Sequence, residues 1–243
     1  MKQARQWTAA LSLVMAATAA WADDNVAPPP LADQPHSEDH VGSVRGLSLG
    51  GDVGYYTYGM ADVNQRFSQG GNDDINGGLG YGVDAKLGLT DRLAAKVGID
   101  YLFASKSAER TVGATTYNTT VNLPATMLFI GGEYTLLPLH ILDVKLIGGY
   151  TLVNIYNGNQ TTSNNLDLGA VTGTGSGFQV GAGAELFLSE GFSFEADLAY
   201  NYAKIDNATF AGSTAAPGST NSNGTVDYSG VVGKIAFNIY LFH

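Results

Sequence analysis

Residues 78–103 contain two consecutive segments in which apolar side chains occupy every second position. In the first segment these are Leu79, Tyr81, Val83, Ala85, Leu87 and Leu89, and in the second Leu93, Ala95, Val97, Ile99, Tyr101 and Phe103. Because successive side chains of a strand point to opposite faces, this pattern predicts two strands joined by a turn at Asp91 and Arg92.

The two faces of this hairpin differ in an unusual way. One face is apolar over a whole strand, while the other carries glycine and the charged residues Asp84, Lys86, Lys96 and Asp100. Charged residues make up only 14% of the chain, against ~25% in an average soluble domain. A strand that is apolar toward lipid and polar toward a lumen is typical of a transmembrane β-barrel.

The same alternation recurs along the chain and predicts eight strands. They fall near residues 46–59, 78–89, 93–103, 119–135, 141–155, 176–188, 192–202 and 231–241, with a bulge expected in the fourth. The connections alternate between long and short, and the long ones (about 61–77, 105–118, 156–174 and 206–226) are polar and show no period. The sequence therefore predicts an all-β fold: an eight-stranded antiparallel up-and-down transmembrane β-barrel with short periplasmic turns and long external loops. An even strand number places both termini in the periplasm.

The segment before the barrel divides into two parts. Residues 1–22 carry a basic start, an apolar middle and an Ala-Trp-Ala site, which is typical of a signal peptide. Residues 23–43 are rich in proline and show no hydrophobic period, so we expect a disordered periplasmic linker, followed by the barrel over 44–243. His36, Glu38, Asp39 and His40 are metal-ligating residue types, but a solvated tail explains them better.

Charged residues at the inward positions predict a network inside the barrel. It comprises Asp52, Asp84, Lys86, Lys96, Asp100, Glu133, Asp143, Lys145, Glu185, Glu195, Asp197 and Lys234. Asp84 is expected nearly opposite Lys96, and Lys145 lies between the strands that carry Glu133 and Glu185. Buried charges must be paired, and an eight-stranded barrel is just wide enough for side chains to fill it. A filled interior is therefore favoured over the alternative, a narrow cation-preferring channel, which the excess of acids would suit.

Four outward tyrosines predict an aromatic belt. Tyr81, Tyr101, Tyr150 and Tyr200 each lie ten to twelve residues from a predicted short turn. Ten residues of a tilted strand climb roughly 25 Å, the height of the lipid-facing band. These side chains are expected at the lipid interface.

With these strands placed, and with the closing run KIAFNIYLFH, residues 44–243 resemble the small outer-membrane β-barrel superfamily of the OmpA transmembrane domain, OmpX and the opacity-type surface proteins. The family's last strand ends in an aromatic residue that serves in assembly. Here Ile239 and Leu241 share the outward parity, which leaves Phe242 inward or at the rim.

The resemblance implies an integral outer-membrane protein with a structural or surface-interaction role. Its alternative is a narrow porin-like passive channel for small solutes or cations. The implied partners are outer-membrane lipid and the barrel-assembly machinery, with an extracellular ligand for the loops left open.

Composition and motifs argue against other classes. The net charge of −10 disfavours nucleic acid. There is no cysteine, and the sequence contains neither G-x-S-x-G nor H-E-x-x-H. The four histidines (His36, His40, His140 and His243) all fall in the linker, at a periplasmic turn or at the terminus. We expect no enzymatic activity, no cofactor and no metal site; the oligomeric state stays undetermined.

Overall fold

The computed structural model describes residues 46–68, 74–112, 114–139, 141–162, 167–211 and 222–241. Within these ranges it contains eleven strands and one helix: β1 Leu47–Thr57, α1 Ala61–Ser68, β2 Gly77–Gly88, β3 Leu93–Leu102, β4 Ser105–Val112, β5 Thr115–Asn122, β6 Ala125–Pro138, β7 Leu142–Thr162, β8 Asp167–Ser189, β9 Phe192–Phe210, β10 Ser222–Asp227 and β11 Gly230–Tyr240. The signal peptide, the linker and Phe242 lie outside the described residues. No helix in the described ranges is long and apolar enough to cross a membrane.

Eight of these strands form a closed ring. Its order is β1-β2-β3-β6-β7-β8-β9-β11, and every neighbouring pair is antiparallel. The ring closes where β1 pairs with β11, from Ser48 opposite Tyr240 to Tyr56 opposite Val232. This confirms the predicted eight-stranded barrel.

Alternation sets which side chains lie inside. Along β2, Leu79, Tyr81 and Val83 are exposed on the outer surface, whereas Asp84 and Lys86 are buried inside. The outer surface carries a broad band of exposed apolar side chains, among them Leu49, Val53, Ile99, Val180, Leu198 and Ile235. Such a surface is stable only against lipid.

The long polar connections, which show no period in the sequence, contain regular structure. Helix α1 forms within the first, and β4 pairs with β5 as a hairpin in the second. In the third and fourth, β7, β8 and β9 continue well past their predicted ends, and β10 adds to the edge of β9. These segments are rich in threonine and asparagine and bury only scattered apolar residues, such as Val121, Ile205 and Val226, so they extend the ladder without a regular apolar alternation.

The fourth predicted strand is in fact two. β5 ends at Asn122 and β6 begins at Ala125, since Pro124 has no N–H to donate to a ladder. The irregularity in β6 itself lies near its far end, where the register with β7 shifts between Thr135 and Leu137. Below, the end of the barrel with the three tight connections is called the short-turn end, and the opposite end the long-loop end.

Candidate functional site

Three lysines and three glutamates meet inside the barrel near the short-turn end. Lys145 Nζ lies 2.8 Å from Glu133, 2.5 Å from Glu185 and 3.2 Å from Glu195. Lys86 contacts Glu195 closely and lies 3.4 Å from Glu185 and 3.6 Å from Glu133. Lys96 lies 2.7 Å from Glu133 and 3.2 Å from Glu195. We call these six residues the inner charge network.

Strand order explains how this network assembles. Lys145 is on β7, and its neighbours β6 and β8 carry Glu133 and Glu185. Lys86 reaches Glu195 across the barrel, since β2 and β9 are not adjacent. Each ammonium therefore has several carboxylates, which offsets the cost of taking the charges out of water.

The three glutamates also have the spacing of a metal site, because one oxygen from each lies within 4.8 Å of the others. The ammonium of Lys145, however, lies within 3.2 Å of all three carboxylates. It occupies the position that a cation would take. The arrangement thus acts as an internal ion-pair cluster, with lysine supplying the positive charge.

A second cluster lies farther toward the long-loop end. Lys234 Nζ is 2.6 Å from Asp100 and 3.6 Å from Asp52. Asp197 lies 3.8 Å from Lys96 and is the cross-strand partner of Lys234. Asp143 is buried on the inner face of β7, opposite Glu185.

Asp84 does not pair with Lys96 as expected. The register places Lys86 opposite Lys96 and Asp84 opposite Gly98. Gly98 and Lys96 share the inner face, so Asp84 lies diagonal to Lys96 rather than directly opposite it. Among the described residues, Lys96 has Glu133, Glu195 and Asp197 within 4.0 Å.

Glycines on the inner face make room for the carboxylates. A Cβ at Gly82 would clash with Asp100 Oδ1 and would lie 2.9 Å from Asp52 Oδ2. A Cβ at Gly50 would lie 2.8 Å from Asp84 Oδ2. The alternation of glycine with acid in β1 and β2 therefore has a packing origin.

Sequence reasoning missed three polar residues that complete the inner charge network. Asn238 donates to Glu195 at 2.9 Å and to Glu185 at 3.1 Å. The Tyr240 hydroxyl donates to Glu185 at 2.5 Å, and the Ser193 hydroxyl donates to the same carboxylate. Their inward parity on β9 and β11 was the available signal.

Little open space remains around these clusters. A cavity of about 10 Å³ adjoins Lys86, Glu133 and Glu185, and one of about 20 Å³ adjoins Asp52, Asp84 and Lys234. Each is about the size of one water molecule.

Toward the long-loop end the interior changes from charged to apolar, which the sequence reasoning did not anticipate. Tyr56, Leu102, Leu123, Met127 and Val153 are fully buried there. They belong to a larger apolar cluster with Met60, Val63, Ile75, Ile155, Val171, Ile205, Val226, Tyr228 and Val232, together with further small or aromatic residues. This cluster, called the apolar plug below, includes Val63 of α1.

Tyr228 contacts two other residues of the apolar plug. Its hydroxyl donates to the carbonyl of Leu123 at 2.7 Å, and its ring meets that of Tyr58 edge to face with centroids 5.4 Å apart. Burial raises the pKa of both phenols, which lie beyond the membrane-facing band. Both phenols therefore remain neutral.

The four predicted belt tyrosines all point away from the lumen. Tyr81 and Tyr101 are cross-strand partners whose rings stack with centroids 5.7 Å apart. Tyr150 lies opposite Phe178, which stacks on Tyr202 at 5.3 Å, and Tyr200 lies opposite Val231 and Val180.

A closed eight-stranded barrel with a charged interior and an apolar outer band defines the class of small outer-membrane barrels. A solved structure of this class, the outer membrane protein OprG from Pseudomonas aeruginosa, superposes with a TM-score of 0.58 at 14% identity, covering 84% of this chain and 100% of that one. Neisserial surface protein A has a TM-score of 0.46 at 10% identity, covering 81% and 97% of the two chains. A major outer membrane protein from Thermus thermophilus has a TM-score of 0.46 at 12% identity, covering 80% and 100%. No curated protein sequence matches the chain.

The family profile of the outer membrane protein beta-barrel domain matches residues 8–231. The chain belongs to this family, and the family places it in the bacterial outer membrane, embedded in lipid.

Proposed function

We propose that this protein is a non-enzymatic, closed barrel. It has a structural role in the outer membrane or interacts with other molecules through its exposed long-loop end. The observation that carries the proposal is the filled interior. The inner charge network occupies the short-turn half, and the apolar plug occupies the long-loop half. An ion or solute that moved along the barrel axis would therefore meet a charged barrier and then an apolar one.

The orientation follows from the same reasoning. Short turns lie in the periplasm in barrels of this architecture, and long loops lie outside. We therefore place the long-loop end at the cell surface, and the start of β1 and the end of β11 in the periplasm. Insertion then requires the barrel-assembly machinery, and the extended ends of β7, β8 and β9 present a surface for interaction.

Planar-bilayer recording tests the closed state. The purified barrel should give no stable conductance steps under conditions in which a general porin conducts, because neither ions nor solutes have a continuous wet path. Cation-selective steps that change in Asp84→Ala or Lys96→Ala, but not in the outward-facing control Val83→Ala, would overturn the proposal.

The second candidate, a narrow cation-preferring pore, has one observation in its favour. Of the twelve predicted lumen residues, eight are acidic and four are lysine, so their formal charges sum to −4. An anionic interior attracts cations. The fully buried Tyr56, Leu102 and Met127 oppose this role, since an ion would have to shed its water to pass them.

A further inference from the structure

A groove of about 290 Å³ opens on the outer surface of the barrel at the long-loop end. Tyr101 and Phe103 form one side, and Ser105, Asn122, Asn157 and Asn159 surround the rest. Its volume lies near the lower limit of small-molecule sites, ~300–1,000 Å³. It therefore suits a ligand of one or two ring units.

The groove results from a break in the barrel wall. The ladder between β6 and β7 ends at Thr126 opposite Asn154, and the ladder between β5 and β7 begins at Asn122 opposite Asn159. Residues 155–158 of β7 thus have no partner on that side, because Pro124 interrupts the adjoining chain. The register with β8 also shifts between Ile155 and Gly158.

One side of the groove is an aromatic platform. The rings of Tyr101 and Phe103 have centroids 4.9 Å apart, and Tyr81 lies 5.7 Å from each of them. Phe103 is 44% exposed and Tyr81 is 54% exposed. Their faces offer broad apolar contact to the C–H groups of a flat ligand.

Apart from Ala104 and Pro124, the remaining lining is polar and uncharged. Asn157 and Asn159 are exposed, and each amide offers two donors and an acceptor. None of the described residues that line the groove is charged. An alkyl chain would cover these amides without giving them partners, which is costly. An anion would meet no cation.

We propose that this groove binds an uncharged sugar unit in the headgroup of a membrane glycolipid. A sugar ring combines C–H faces with hydroxyls, matching an aromatic platform surrounded by amides. Leu79 and Phe103, next to Tyr81 and Tyr101, are the last exposed apolar side chains of this part of the outer band, so the groove opens near the level where lipid headgroups begin. The placement relies on the orientation proposed above, while the chemistry rests on the lining alone.

The test uses the barrel in phosphatidylcholine nanodiscs, labelled with ¹⁵N-asparagine. Dodecyl maltoside should give saturable shifts of the Asn157 and Asn159 amide signals, whereas dodecylphosphocholine, with the same chain and no sugar, should give none. Free maltose should bind more weakly than the maltoside, because only the latter is concentrated in the bilayer. Phe103→Ala should weaken maltoside binding roughly tenfold through loss of the aromatic contact.

Matched controls keep the result interpretable. Phe178 is similarly exposed and stacked on Tyr202, so Phe178→Ala should leave binding unchanged. If Phe103→Ala does not fold, as judged by heat-modifiable gel migration, Asn157→Leu replaces it, with the exposed Asn207→Leu as its control.

Equal shifts with both detergents would reassign the groove to an alkyl chain. Equal affinity for free maltose would reassign it to a soluble sugar. Either result, or no shift at all, overturns the proposal, and none of them bears on bilayer conductance.

Discussion

The kind of residue at each strand position of this barrel depends on whether the side chain points to the lipid or to the interior. Val83 is 63% exposed, whereas its neighbour Asp84 is 8% exposed. One step along a strand therefore separates lipid from a charged interior, and substitutions at adjacent positions should have very different effects.

Val83→Arg and Asp84→Asn test this contrast. The arginine places a charge in hydrocarbon and should cost ~2–4 kcal/mol, while the asparagine keeps a polar group of similar size inside. We expect a severe loss of stability for Val83→Arg and a mild one for Asp84→Asn, measured by urea unfolding in lipid vesicles. The reverse order would mean that strand facing is inverted.

Inner glycines should be less replaceable than outer ones. Gly82→Ala brings a methyl group against Asp100 and Asp52 and should cost ~1–3 kcal/mol, as overpacking does. At Gly233 an added Cβ meets nothing within 4 Å, so Gly233→Ala should be close to neutral. Unfolding midpoints of the two variants decide the matter, and equal midpoints would contradict the packing explanation.

At the scale of elements, the inner charge network joins strands that are not neighbours. β2 and β3 contribute lysines to carboxylates on β6, β8 and β9, so the cluster connects distant parts of the ring. It should therefore behave as one unit.

Lys145→Met tests that unit. Removing one ammonium leaves three glutamates with only Lys86 and Lys96 to balance them, and breaking a buried pair costs ~3–5 kcal/mol. Adding Glu133→Gln should recover part of the loss, since it removes one of the carboxylates that are then in excess over the lysines. A double variant no more stable than the single one would show that the two residues act independently.

The β4–β5 hairpin, in contrast, should be dispensable. β4 pairs only with β5 among the described strands, and β5 joins β7 through four residue pairs. Replacing residues 108–119 by Asn-Gly, a favoured hairpin turn, should retain heat-modifiable migration and the barrel's β-sheet circular dichroism. Loss of both would show that the hairpin supports closure.

How well the sequence predicts these elements depends on whether one of their faces meets lipid. Where one face meets lipid, as in β2 and β3, strict alternation reveals strand, facing and inner charges. Beyond the belt, β4, β5 and β10 are mostly polar, and the buried Val121 of β5 and Val226 of β10 are isolated, so no alternation marks these strands. The apolar plug was missed for a related reason: Met127 and Phe129 blur the alternation of β6 because both faces are apolar there.

Partners within the inner charge network could be predicted only where adjacent strands carry them. Lys145 beside Glu133 and Glu185 follows from strand order. The contacts of Lys86 and Lys96 with Glu195 cross the lumen, and a sequence pattern does not specify such contacts.

For the whole molecule, we predict that residues 23–43 are unnecessary for folding. They offer no apolar face to bury. A chain lacking them should refold into detergent with the same heat-modifiable shift as the full chain, and loss of that shift would contradict the prediction.

The pairing that closes the ring has a consequence for how the chain could be reconnected. β1 and β11 pair in the same antiparallel way as the other neighbours, and Leu241 N donates to Leu47 O at 2.8 Å. The two strand ends therefore lie side by side, and a short linker could join them. New termini could then be cut at the exposed turn 89–92 without changing any strand neighbour. Such a circular permutant should form the same barrel from a different starting strand, so the order of strand synthesis and the order of the ring become separable.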